Sequence, residues 1–256
     1  MTNQEYRKKE GISSSDFRLL EISPLHYANS DRFSLSGNSF DFGTLVHSLA
    51  LEPEGVKDQY SISPKFDLRT KQGKADKKAY ELENSNKIVI NEDDYAVATR
   101  MAENVRIIAG GILRGGIAES SVFAKDCFGI TRKCRPDYYI EDAGIVIDLK
   151  TTKSCKLYDF QKSIYDYKYH RQAAWYMDAL ALSGKTVNTF IIVAVEKSSP
   201  YMVRVFELDE KSIEKGREEY INLLAKYTKY LEDGSAEVLE KISLPNWAFE
   251  DDKENY

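Results

Sequence analysis

Arg135-Pro136-Asp137-Tyr138-Tyr139-Ile140-Glu141-Asp142-Ala143-Gly144-Ile145-Val146-Ile147-Asp148-Leu149-Lys150 is the stretch on which the fold turns. Two β-rich runs flank Glu141-Asp142-Ala143-Gly144, a turn-like cluster. A hairpin centred between Asp142 and Ala143 sets Asp137 directly opposite Asp148. Their Cβ atoms are then roughly 4.5–5.5 Å apart. Strand alternation puts Val146, Asp148 and Lys150 on one face and Ile145, Ile147 and Leu149 on the other, which reads as the core face. Like charges in that position destabilise a sheet unless a cation sits between them or one acid is protonated. A hard divalent ion suits such oxygens, can activate water and clamp a phosphoryl oxygen, and the adjacent lysine can steady developing charge. From spacing alone two readings stay open: this cation-bridged pair, or a surface hairpin with scattered charges.

Outward from the hairpin, three strands are expected: Ala118 to Lys125, Gly129 to Ile140 and Gly144 to Thr151. Tyr158 to Ser183 reads as one long aromatic-rich helix. Thr189 to Lys197 reads as a buried strand, Tyr201 to Leu208 as its partner, and Asp209 to Glu232 as a charged periodic helix. Upstream, Ser13 to Asp16 and Ser23-Pro24 open short helices. Helices are also expected over Ser39 to Leu51 and Asp93 to Ala109, the latter stopped by Gly110-Gly111, with a short strand at Lys87 to Asn91. Ser61 to Lys78 reads as a basic loop leading into a helix. The order implies an α/β protein with a mixed central β-sheet flanked by helices. It reads as a single domain over residues 1–235, with a helical N-terminal part at 1–60 and a core at about 110–210. Residues 236–256 form an acidic tail, mobile or peripherally docked.

The chain has 256 residues, 42% hydrophobic and 30% charged, with 14 Gly and 6 Pro. These values exclude collagen, low-complexity disorder and a small disulfide scaffold. No apolar run approaches a membrane span, and Met1 to Glu10 is too polar for a secretory signal. Cys127, Cys134 and Cys155, with no C-x-x-C spacing, are expected to be free thiols in a reducing cytoplasm. The net charge of −5 is uneven. Glu232 to Tyr256 holds eight acids and two bases, a balance of −6, which leaves +1 for the rest. Lys65 to Lys78 and Lys150 to Arg171 each hold six bases and two acids. Such local patches, rather than net charge, steer anionic partners.

Pro136-Asp137 followed by Asp148-Leu149-Lys150 resembles the PD-(D/E)XK nuclease signature, and the resemblance implies a restriction-endonuclease-like core. Glu119 fits the acidic residue such families carry upstream. Gln172 and Tyr176 resemble the Q-x-x-x-Y motif of the RecB-type branch. Ile12 to Asp16, Ser23 to Tyr27, Phe42 to Leu49 and Leu68 to Lys74 together resemble the RecE-type (exonuclease VIII-like) domain of phages and prophages, over about residues 11–235. The resemblance implies a magnesium-dependent exodeoxyribonuclease, with manganese able to substitute. It would act 5′ to 3′ on linear double-stranded DNA and leave 3′ overhangs for a single-strand annealing protein. It further implies a homo-oligomeric ring in the cytoplasm of a bacterial host.

By the same resemblance Asp137, Asp148, the Leu149 carbonyl and His47 hold the metal, and Lys150 is the catalytic lysine. Glu119 is a supporting acid or a ligand of a second metal, and Gln172 and Tyr176 position the strand. Three cysteines at the wrong spacing imply no iron–sulfur cluster. Arg69, Lys71 and Lys74, around a flexible Gly73, read as an arm that neutralises phosphates without reading sequence. Arg18 is a candidate 5′-phosphate contact, His170 a candidate backbone-phosphate contact, and His26 structural. Two alternatives remain: an inactive DNA-binding or partner-docking module on this fold, and a site-specific endonuclease.

Overall fold

The computed structural model describes residues 1–30, 42–234, 242–245 and 248. The expected tail therefore lies mostly outside the described residues, as do the first residues of the helix expected from Ser39.

In chain order the helices are α1 (Asn3–Lys8), α2 (Phe17–Ile22), α3 (Pro24–Ala28), α4 (Phe42–Leu51), α5 (Val56–Gln59), α6 (Lys71–Glu83), α7 (Glu92–Ala109), α8 (Leu157–Asp166), α9 (Tyr169–Leu182) and α10 (Glu210–Asp233). The strands are β1 (Tyr60–Ser63), β2 (Ile88–Asn91), β3 (Ile117–Ala118), β4 (Val122–Lys125), β5 (Thr131–Cys134), β6 (Tyr138–Ile140), β7 (Ile145–Thr152), β8 (Thr189–Glu196) and β9 (Val203–Glu207). Caps mark the helix starts that the sequence signals. Ser23 caps α3 with Pro24 in its first turn, Asn91 caps α7 and Asp209 caps α10, each side chain accepting from an otherwise unpaired N–H.

A five-stranded sheet in the order β3-β6-β7-β8-β9 forms the centre. Within this sheet only the β7–β8 pair is parallel; its neighbours pair antiparallel. The sheet is therefore mixed, as expected. The expected hairpin register holds: Tyr138 faces Ile147, Tyr139 faces Val146 and Ile140 faces Ile145. Gly144 turns the corner at φ +64°, and a Cβ there would come within 2.8 Å of the Asn188 side chain. Any other residue would be both strained and crowded.

Helices cover both faces. On one, Val146, Phe190, Ile192 and Ala194 pack with Phe17, Phe160, Trp175 and Tyr220. On the other, Ile147, Leu149, Val193 and Val195 pack with Leu45, Val46, Met101 and Val105. The expectation of a single apolar core face on β7 is thus corrected. The face carrying Asp148 is buried too, because α9 and its neighbours lie over it. The continuous apolar run Phe190 to Val195 fits a strand buried on both sides.

Two further expectations fail. The strands expected over Ala118 to Lys125 and Gly129 to Ile140 are one long hairpin that bends and divides between two sheets. Its base is β3–β6 in the central sheet and its far half is β4–β5. The two halves keep one register, so the bend is not a slip. It falls where Pro136, which has no N–H, interrupts the ladder on one strand and Glu119, opposite Asp137, stands at φ +52° on the other. The helix expected over Tyr158 to Ser183 is two helices. They part at Tyr167 and Lys168, with Lys168 left-handed at φ 59°, ψ 35°.

Candidate active site

At the bend the chain gathers its ionisable side chains. The Glu119 N–H donates to the Asp137 carbonyl at 3.0 Å. This tie sets the two acids side by side across the hairpin. Asp137 Oδ2 accepts from the Leu149 N–H at 2.7 Å, which locks its carboxylate onto β7 beside Asp148. From α4, on the other side of the sheet, His47 Nδ1 comes to 3.4 Å from Asp137 Oδ2. His47, Glu119 and Asp137 each offer an atom, and all three lie within 4.8 Å of one another.

Asp148 is 1% exposed. Its Oδ1 accepts from Gln172 Nε2 at 2.8 Å. Its Oδ2 lies 2.6 Å from Lys150 Nζ, but off the direction a hydrogen bond needs. This buried oxygen therefore has a counter-charge and no aligned donor. Lys150 Nζ also lies 4.9 Å from the centre of the Tyr169 ring. Tyr176 is part-buried, one turn beyond Gln172 on α9.

The electrostatics follow from crowding like charges in a part-dry site. Burial, then Asp137 nearby, pushes the Glu119 carboxyl up against the pull of Arg135. Burial raises Asp148, and Asp137 adds to it despite Lys150. Burial also works against charge on Asp137, but His47, Lys150 and the Leu149 N–H outweigh it and hold that carboxyl below its usual range. His47 and Lys150 are disfavoured by burial too, yet the acids lift both above their ordinary values. Burial, Tyr6 and the two aspartates push the Tyr176 phenol far up.

The structure thus brings together His47, Glu119, Asp137, Asp148, Leu149, Lys150 and Gln172, with Tyr176 close enough to feel both aspartates. It does not do so for the expected arm. Arg69 pairs locally with Asp67 at 2.9 Å, and Lys71 and Lys74 are exposed on the first turn of α6. Gly73 is no flexible joint: it sits inside that turn, where a Cβ would meet the Asp67 carbonyl at 2.1 Å. His170 is buried between the Ile164 carbonyl and Glu219, not free for phosphate. Arg18 is exposed on α2. Sequence reasoning missed Arg135, which donates from Nε to Glu119 at 2.6 Å and also to Ser121. Reading the two bent strands as one hairpin would have found it, since that register sets Arg135 opposite Ser121.

The donor set is mostly carboxylate with one imidazole, and a buried carboxylate oxygen lacks an aligned donor. Both features fit a hard divalent cation. His47, Glu119, Asp137 and Asp148 are the side chains that would hold it.

A mixed sheet carrying Pro-Asp, Asp-x-Lys and a helix-borne glutamine beside one another defines a PD-(D/E)XK-type protein. A family model described as a PDDEXK-like domain of unknown function (DUF3799) matches residues 13–240. The chain belongs to that family. Among solved structures, it resembles a candidate exonuclease from Eubacterium rectale, at TM-score 0.60 and 17% identity, over 93% of this chain and 88% of that one. At that identity the likeness is one of fold. A phage-related exonuclease from Haemophilus somnus 129PT matches at TM-score 0.38 and 14% identity, over 88% of this chain and 98% of that one. An alkaline exonuclease from Laribacter hongkongensis matches at 0.31 and 17%, over 54% and 72%. Neither of these two scores carries weight. No curated protein matches the chain. No helix among the described residues is long and apolar enough to cross a membrane.

Proposed function

We propose that the protein is a divalent-metal-dependent nuclease, specifically an exodeoxyribonuclease that degrades linear duplex DNA from 5′ to 3′. The observation that carries this reading is the convergence of three carboxylates, an imidazole and a part-buried ammonium on a PD-(D/E)XK fold, with one carboxylate oxygen left without an aligned donor. Residues 1–235 act as one nuclease unit.

In this reading Asp137, Asp148, His47 and the Leu149 carbonyl would hold magnesium or manganese, with Glu119 as a supporting acid. A bound divalent cation supplies an activated water and charge neutralisation on the phosphate. The Lys150 ammonium, kept protonated by the two aspartates, stabilises charge as it builds on the phosphoryl oxygens. Gln172 fixes Asp148 through its 2.8 Å bond, Arg135 fixes Glu119, and Tyr176 helps position the strand. Water oxygen joins phosphorus, the P–O3′ bond breaks, and the leaving O3′ takes up a proton. The released product is a 5′-phosphorylated mononucleotide, and the remaining duplex carries a 3′ overhang. That overhang suits a single-strand annealing partner, and a homo-oligomeric ring around the duplex would supply processivity.

The test is digestion of linear duplex labelled at either end, with magnesium or with EDTA. The reading expects stepwise loss from 5′ ends, none in EDTA, and none with Lys150→Ala. Equal digestion by wild type and Lys150→Ala sinks the mechanism. Preferential cutting of covalently closed circles sinks the exonuclease direction and leaves an endonuclease.

A further inference from the structure

The break between α8 and α9 has a consequence for the surface beside Lys150. Residues two apart on a helix do not face each other. Here the left-handed Lys168 between them brings Tyr167 and Tyr169 face to face, with ring centres 5.6 Å apart and planes 26° from parallel. A residue with a Cβ adopts that conformation only at a steric cost. One tertiary and one local contact hold it: Lys168 Nζ lies 3.7 Å from Glu219 on α10 and 4.5 Å from the centre of the neighbouring Tyr165 ring.

The inner ring, Tyr169, lies against the Lys150 ammonium. The outer ring, Tyr167, is 67% exposed. The two tyrosines thus form a short stack that leads from the part-buried lysine to solvent. Tyr158 and Tyr165 are exposed nearby on α8. Lys162 on α8 and Lys153 and Lys156 in the segment before it are exposed too, and these three outnumber the acids Asp159 and Asp166 of the helix. Aromatic faces interleaved with lysines suit a single nucleic-acid strand: every base offers a π-face, and the lysines track the phosphates. Inside a duplex every base is stacked on both faces, so only an unpaired base, or the last pair of an end, can offer a face to Tyr167.

We propose that Tyr167, backed by Tyr169, is a stacking platform for an unpaired base of the DNA strand entering the site. It is a positioning residue, not a catalytic one. The inference rests on the nuclease reading for the identity of the strand, and its test separates the two.

A single-stranded oligonucleotide carrying 2-aminopurine is titrated against the protein in EDTA, where nothing is cut. Wild type should bind it and quench the fluorophore. Tyr167→Ala should lose the quenching and bind about five- to tenfold more weakly. Because stacking releases no counterions, the salt dependence of binding should keep its slope. Tyr167→Phe and Tyr167→Trp should behave as wild type, and an unchanged melting temperature in Tyr167→Ala certifies its fold. Equal binding and quenching by Tyr167→Ala overturns the platform, as does a Tyr167→Phe variant as weak as Tyr167→Ala, or a wild type that neither binds nor quenches. Digestion of linear duplex with magnesium is read in parallel. Binding and quenching without digestion keep the platform and sink the nuclease reading. Digestion with a KM unaltered by Tyr167→Ala keeps the nuclease and sinks the platform.

Discussion

Two clusters of buried charge share this molecule, and they are finished to different degrees. Beneath α9 and α10, Asp126 accepts from the N–H groups of Phe128 and Ile130 and from Arg132 Nε, at 3.0, 3.0 and 3.1 Å. The Arg132 guanidinium lies 4.9 Å from the centre of Trp175 and 5.2 Å from that of Tyr220. Tyr220 donates to Asp178, which Arg217 grips with two bonds of 2.9 Å. Each of these acids has a guanidinium partner and aligned donors. At the bend of the hairpin, by contrast, Glu119, Asp137 and Asp148 crowd together, and Asp148 Oδ2 lacks an aligned donor. A satisfied polar network rigidifies a core; a like-charged, partly satisfied one is tolerated where a ligand completes it.

Substitutions should separate the two clusters. Asp148→Asn should lower DNA hydrolysis on the order of ten-thousandfold, the scale seen when one member of a cooperative catalytic unit is removed. Burial raises the Asp148 pKa, so its charged form costs stability at neutral pH. The neutral isostere removes that cost but also one counter-charge of Lys150, which Asp137 still faces, so the metal-free melting temperature should move little. A clear drop would mean that the cluster is structural after all. Arg132→Met should do the reverse. It strands Asp126 without its counter-charge and should cost about 3–5 kcal/mol in a denaturant titration, while turnover per folded molecule stays near wild type. Manganese at a hundred times its Kd should stabilise wild type by about 2.7 kcal/mol. The same titration of Asp137→Asn should show no such gain. Lys74→Ala should have the smallest effect, a modest rise in KM with the salt slope reduced by about 1; an unchanged slope removes α6 from the DNA path.

How legible each region was depends on what held it in place. The Asp137–Asp148 pairing could be read because the turn around Asp142 and Ala143 is symmetric and Gly144 permits it. Local turn chemistry and strand alternation were enough. Arg135 was legible only by reading Ala118 to Lys125 and Gly129 to Ile140 as one hairpin in a single register; the bend that brings its side chain to Glu119 was not, because it follows from that hairpin dividing between two sheets. Pro136 marked the place, but an isolated proline does not say which way a strand turns. The break at Lys168 was likewise hidden. The apolar spacing of Tyr158 to Ser183 runs through it, and the tertiary contact that helps hold it comes from Glu219, about fifty residues on. His47 could be placed only through the family motif, since a histidine on an apolar helix more often belongs to the core. Arg69, Lys71 and Lys74 were legible as a basic run, but a charge run does not disclose where it sits.

The most direct test is a crystal soaked in manganese and mapped by anomalous scattering. A peak bounded by the Asp137 and Asp148 carboxylates, beside an ordered Lys150 ammonium, is the result expected here. Well-ordered side chains around those same residues with no anomalous peak would contradict it.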